Sequence, residues 1–461
     1  MERALSVTIY GVLTPLFTAM WIVANLLVTG CSSHKDVSLR KFPYPYRAAL
    51  AICSDIDETI SFERFLALER FLTTTDSTPI GTGLGLEIGN SFWYYNQALQ
   101  YRKDSLASRP ISGYSFSGRP DFGIALYDGF SDTLATYAPQ LLSLIKSGYI
   151  DCLHSYGHFS QGGFKRALAE EAICLAERES LQVTVWTNHG GKENTDNLGQ
   201  APWFLGDNPG SAAYHADITI PAGFRFIWRG QVTHCIGQDG GFSVLNLLKQ
   251  SYEWMQDLRY QEQDYPHDNR LLNVYQLDDG RKVFEFPRFI NPWGVDADAV
   301  EAKIAKQLGP SVIDNLIDAE GYLVFYTHLG ITRDTALLSP STIAALRYIR
   351  DKALSGGLFV TTTARLLAYN ACTNYLNWHT EMTGDSLYIV IDSISNEVEG
   401  SYVPAIGDLQ GITFYVADTS RVALRLRGRI VPTVNNPPDE SGEYSISVPW
   451  KPLTFPSELR D

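Results

Sequence analysis

The chain has 461 residues, enough for one large domain and a smaller one, or for two or three ordinary ones. Hydrophobic residues make up 45% and charged residues 19%, a globular balance that excludes general disorder. The net charge of −14, with no basic run, excludes a nucleic acid as partner, because affinity for phosphate backbones comes from clustered Lys and Arg.

Residues 1–31 form a separate object. No charge occurs from Ala4 to Gly30, the composition of an export signal or membrane anchor. The run ends in VTGC, which resembles the lipobox of bacterial lipoproteins and implies acylation at Cys31. A retained transmembrane anchor is the alternative. Either places the body outside the cytoplasm, tied to the membrane of a cell envelope, with residues 32–45 as the linker. Five further cysteines, Cys53, Cys152, Cys174, Cys235 and Cys372, contain no CxxC. Cys53, Cys152 and Cys174 lie in apolar stretches and read as buried thiols.

From residue 46 to 378, apolar runs alternate with helical ones. RAALAICSD reads as a strand, and TGLGLEIGNSFWYY as another. SDTLATYAPQLLSLIKSG has helical spacing and a stop at Gly148. YIDCLHS is a strand, FKRALAEEAICLAERE a helix, LQVTVWTN and GFRFIW strands. YLVFYTHLG, STIAALRYIRDKALSGG, GLFVTTT and ARLLAYNACTNYLNW continue as strand, helix, strand, helix. This alternation predicts an α/β fold of parallel βαβ units, a (β/α) barrel that is incomplete or seven-stranded. An open doubly wound sheet would read similarly. Residues 271–289 predict an inserted β-hairpin turning at Asp279-Gly280. Residues 187–215 form a long polar, Gly-rich loop, a type that is commonly functional or disordered. From 380 to 454 the pattern becomes period-two, predicting a small all-β module resembling a sandwich.

Two stretches carry chemistry. SDIDET puts Asp55 and Asp57 at the end of an apolar strand. CLHSYGH puts His154 and His158 four apart at the end of another. Turn-like backbone over four residues brings two imidazoles to one side, and neutral imidazole is a common ligand for Zn²⁺-type ions. Catalytic ions of this kind usually take three protein ligands and keep one position for water, so a carboxylate from another strand end suits the third place.

HSYGH matches the H-[ST]-x-x-H motif of polysaccharide deacetylases, the metal-dependent carbohydrate esterases. SDID resembles that family's aspartate pair, here separated by Ile56. The resemblance implies a general base, Asp55, and a metal set of Asp57, His154 and His158. It implies a divalent cofactor, zinc first, with cobalt or nickel as alternatives. VFYTHLG offers His328 in the position of the family's general acid. The family's Arg-x-Pro motif is not evident, and WTNHGG stands there instead. Asn188, His189 and Arg229 (in IWRGQ) are the candidates for holding substrate. Trp186 reads as core, and Trp203 as a ring for stacking on sugars. The implied activity is removal of acetyl groups from N-acetylated sugars of a polysaccharide.

Two other readings stand beside it. D-x-D-x-T after an apolar strand is the nucleophile motif of haloacid dehalogenase-like phosphatases, and Asp55, Asp57 and Thr59 fit it. That enzyme also needs a late acidic pair after a strand, and it leaves HSYGH without a task. A catalytically inactive glycan-binding or assembly protein is the third reading.

Overall fold

The computed structural model describes residues 37–56, 59, 61–96, 123–159, 162–190, 192–199, 202–260, 265–291, 303–330 and 336–460. By contacts the chain divides into Met1–Ser38 and Leu39–Asp461, and the description concerns the second unit. The N-terminal apolar run with Cys31, and Asp57, lie outside the described residues. Among those described, no helix is long and apolar enough to cross a membrane.

The protein is mixed α/β, built on a curled, mostly parallel sheet. Its first strand, β1 (Ala48–Asp55), is buried along all eight residues, as expected where both faces of a parallel sheet are covered. Helix α1 (Phe62–Thr73) follows, its N-terminus capped by Ser61, whose hydroxyl accepts from Arg64 N. Then come β2 (Gly89–Phe92), α2 (Ala138–Ser147), β3 (Ile150–His154), α3 (Arg166–Glu179), β4 (Val185–Thr187) and β5 (Phe226–Trp228). Helix α2 ends at Gly148, whose φ of 86° is the left-handed conformation of a C-cap glycine. After α4 (Val244–Tyr260) a hairpin of β6 (Asn273–Gln276) and β7 (Lys282–Glu285) forms. Helix α5 (Pro310–Asp318), β8 (Tyr322–Thr327), α6 (Pro340–Leu354), β9 (Leu358–Thr361) and α7 (Thr363–Tyr375) complete this part.

The sheet runs β6-β7-β5-β4-β3-β2-β1-β8, and β9 pairs with the first half of β1. The hairpin expected as an insertion therefore differs from expectation in one respect. Its second strand, β7, pairs parallel with β5 and belongs to the sheet itself. Short apolar strands look alike whether they sit in an insertion or in a sheet, so the pattern alone could not tell them apart.

Curling is visible in the interior. The Arg288 guanidinium lies 3.9 Å from the Trp228 ring and 4.4 Å from the Tyr326 ring, joining residues of β5 and β8, which are far apart in strand order. One apolar core holds Phe92, Leu144, Leu153, Trp186 and Ile227; another holds Leu50, Ile52, Leu316, Leu323 and Ile349.

Beyond α7 the chain is strands and short 3₁₀ turns. Leu376–Thr383, Ser386–Asn396, Val422–Leu426 and Arg429–Val431 pair in that order. Ser445–Ser447 pairs antiparallel with both Thr413–Val416 and Val434–Asn436. The last residues return to the α/β part: Leu453 N donates to Glu87 Oε1 at 2.8 Å, and Phe455 joins the first core. All five described cysteines are free thiols; Cys174, expected to be buried, is exposed on the outer face of α3.

Candidate active site

Register decides which side chains meet. Ser54 is level with Thr327, so Asp55 at the end of β1 faces His328 just past β8. Asp55 is level with Ser91 on the other side. His154 ends β3 level with Thr187, which brings His189, two residues on, alongside it. All these groups stand at the C-terminal ends of parallel strands, the rim where α/β sheets and barrels place ligands.

Asp55 is buried. Its Oδ1 accepts from the Ser91 hydroxyl. Its Oδ2 has no hydrogen-bond partner and lies 3.6 Å from His154 Nδ1 and 3.7 Å from His328 Nε2. His154 Nδ1 is likewise buried without a hydrogen-bond partner. His189 links the two motif histidines: its Nδ1 is 3.1 Å from His154 Nε2, and its Nε2 is 2.9 Å from His158 Nδ1. Trp93 covers all three rings, with centroid distances of 5.7, 5.4 and 4.6 Å to His154, His158 and His189.

Burial governs the charge state. Desolvation, then the Arg288 charge, holds His154 well below the ordinary imidazole range. Burial pushes His158 down to about 4. Desolvation, then the neighbouring His154 and His158, holds His189 well below its usual value. At neutral pH the trio is therefore uncharged, the state in which imidazole nitrogens coordinate cations.

The motif's backbone is built for this crowding. Ser155, directly after His154, has φ of 51°, a left-handed conformation that non-glycine residues adopt at a cost. A Cβ on Gly157 would lie 2.2 Å from Tyr95 O, so only glycine fits there. The polar loop after β4 holds the backbone that follows His154. Asn194 Oδ1 accepts from Phe159 N at 2.8 Å, and Asp196 Oδ2 from Tyr156 N at 2.9 Å. Asn197 accepts from His189 N at 2.9 Å and donates to His189 O at 2.8 Å. Short Asx side chains make such local backbone bonds readily, and their density in ENTDN is the signal that points to them.

The remaining candidates are engaged elsewhere. Asn188 Oδ1 accepts from Trp186 Nε1 and Leu198 N, and its Nδ2 donates to Leu198 O, so its amide ties the loop to the strand end. Arg229 Nε donates to Glu285 Oε2 at 2.8 Å, and its guanidinium stacks 3.7 Å over Tyr275. Trp186 is core and Trp203 is exposed. Sequence reasoning did not single out Ser91, Trp93 or Arg288. Nε and Nη1 of Arg288 are buried without hydrogen-bond partners, so the two aromatic rings carry much of its compensation.

A carboxylate oxygen and neutral imidazole nitrogens, two of these atoms without a hydrogen-bond partner, form a donor set of the kind that suits a divalent transition ion. Among the described residues, no group of three or more His, Cys, Asp or Glu is arranged to hold one. The acid expected as third ligand, Asp57, lies outside them. Comparison with protein-family models finds no match, and comparison with curated proteins finds none either.

Proposed function

We propose that the protein is a metal-dependent hydrolase that removes acetyl groups from N-acetylated sugars of a cell-envelope or extracellular polysaccharide, in the manner of a polysaccharide deacetylase. One observation carries this reading: Asp55 Oδ2, without a hydrogen-bond partner, sits between His154 and His328, and His189 joins His154 to His158 alongside. A phosphatase nucleophile at Asp55 would have no use for that surround.

In this reading His154, His158 and Asp57 would hold an ion, zinc first, with cobalt or nickel as alternatives. When bound, the ion lowers the pKa of its water and polarises the amide carbonyl. Ser91 anchors Oδ1 of Asp55 and so presents Oδ2 to take the water's proton. The water oxygen bonds to the acetyl carbon, the C–N bond breaks, and His328 gives a proton to the departing nitrogen. The products are a sugar amine and acetate. His189, placed against both motif histidines, orients them rather than the substrate. Trp93 screens that side of the site from water. The parallel strands β7, β5, β4, β3, β2, β1 and β8, with β9 beside the first half of β1, form the incomplete barrel, residues 380–454 form an all-β module, and the N-terminal run tethers the chain to the envelope membrane.

The test is metal analysis of the purified protein with acetate release from N-acetylated oligosaccharides. Stoichiometric zinc, cobalt or nickel and acetate release, both lost in His154→Ala/His158→Ala, are expected. Mg²⁺-dependent phosphate release that needs Asp55 but ignores the histidines would overturn the reading in favour of a phosphatase. Bound metal without acetate release would turn it toward a glycan-binding protein.

A further inference from the structure

Helix α4 is inside out. Its large apolar side chains, among them Leu245, Leu248, Tyr252, Trp254, Met255 and Leu258, are 47–63% exposed. At 100° per residue they share one arc of about half the circumference. Phe242, just before the helix, is 87% exposed. The side turned to the protein is polar. Asn246 and Glu253 are its two buried residues in the described part. Asn246 Nδ2 donates to Ile236 O at 2.8 Å, and its Oδ1 accepts from Ile236 N at 3.2 Å. Glu253 Oε1 accepts from Thr233 Oγ1 and His234 N, and Lys249 Nζ donates to His234 O at 2.8 Å. Two polar residues fall within the arc: Ser251, which satisfies its hydroxyl on Leu247 O at 2.8 Å, and the exposed Arg259, a cation near the helix end.

A surface helix ordinarily buries its apolar stripe, and exposed apolar patches of this extent mark interaction sites. We propose that the exposed face of α4 lies on a lipid bilayer, in the interfacial plane, with its apolar side chains among the acyl chains. Two observations select lipid. The uncharged run from Ala4 to Gly30 provides a route to a bilayer, and the proposal rests on the tethering read from it. Glu253 is buried and Asp257 lies off the apolar arc, so no carboxylate of the helix faces the headgroups. Trp254 and Tyr252 add the aromatic rings favoured at the membrane–water boundary. The helix would then fix how the tethered enzyme stands on the envelope.

The experiment uses the full chain reconstituted into phosphatidylcholine–phosphatidylglycerol vesicles. A bimane probe is attached at Met255→Cys in a Cys174→Ser background, and the parent without the added cysteine sets the baseline. Leu354→Cys and Ile430→Cys, at exposed sites elsewhere, are controls. Quenching by nitroxide-labelled lipid at least threefold greater at position 255 than at either control is the expected result. That excess should vanish in Leu248→Asp/Leu258→Asp, with circular dichroism and melting unchanged. Vesicle-bound protein with no excess quenching at 255 overturns the helix proposal and leaves the tether intact. Protein that does not float with vesicles overturns both. A 255-to-255 crosslink in lipid-free protein that persists on vesicles assigns the face to a second copy and overturns the proposal.

Discussion

The histidine cluster and helix α4 break the same rule in opposite directions. Around Asp55, a buried carboxylate and two buried imidazoles sit beside a third, half-buried one, and two of their atoms lack a hydrogen-bond partner. Along α4, leucines and a tryptophan sit in water while Asn246 and Glu253 are buried. Each arrangement costs folding free energy: desolvation in the first case, forgone burial in the second. The contrast is with an ordinarily sorted helix. Helix α2 turns Leu141, Leu144 and Ile145 inward against the sheet. These two regions are thus places where something other than stability sets the residues.

The sharpest way to break the comparison is at Asp55. Asp55→Asn keeps an acceptor for the Ser91 hydroxyl but removes the base. Acetate release should fall by about 10²–10⁴-fold, the usual range for general base catalysis, with melting temperature unchanged or raised. A variant that loses activity only because it unfolds would show that the carboxylate is structural. The next largest effect concerns ordinary packing. Leu144→Ala, at a fully buried position in α2, should cost about 2–5 kcal/mol in denaturant unfolding.

A buried carboxylate away from the site calibrates the electrostatic half. Glu69 of α1 is fully buried, accepts from Asn90 Nδ2 at 2.9 Å through Oε2, and leaves Oε1 without a partner. Burial pushes its carboxyl up to about 8. Because the folded value exceeds the unfolded one, the stability it supports is complete below about pH 4.5 and is lost as pH rises through about 8. Glu69→Gln should flatten that slope, gaining on the order of 2 kcal/mol over the parent at pH 9 and little at pH 5. Parallel pH profiles for the two proteins would contradict it.

Much of this was legible in the sequence. Apolar runs ending in SD, LH and YTH place Asp55, His154 and His328 at strand ends, and the parallel register brings those ends together. What was not legible depends on neighbours far along the chain. Ser91 and Trp93 matter only because β2 lies between β1 and β3. Arg288 is an unremarked arginine until Trp228 and Tyr326 close on it. Asn188 and Arg229 looked available because sequence shows a residue's chemistry and not its engagements with Leu198 and Glu285. Helix α4 has an amphipathic pattern, but periodicity gives the angle between faces and not which face looks inward.

That last ambiguity yields the smallest predicted effect. Leu258→Ala, at a position 60% exposed on α4, should change unfolding free energy by no more than about 0.5 kcal/mol in lipid-free protein. The same chemical deletion at Leu144 removes atoms from contact with a packed core, whereas at Leu258 it removes atoms largely in contact with water. The contrast holds only if nothing in the chain covers the α4 face in solution. A cost at Leu258 approaching that at Leu144, in dilute monomeric protein, would mean that a segment of the chain itself packs there. The face would then belong to the core, and the comparison between site and helix would reduce to a single exception at Asp55.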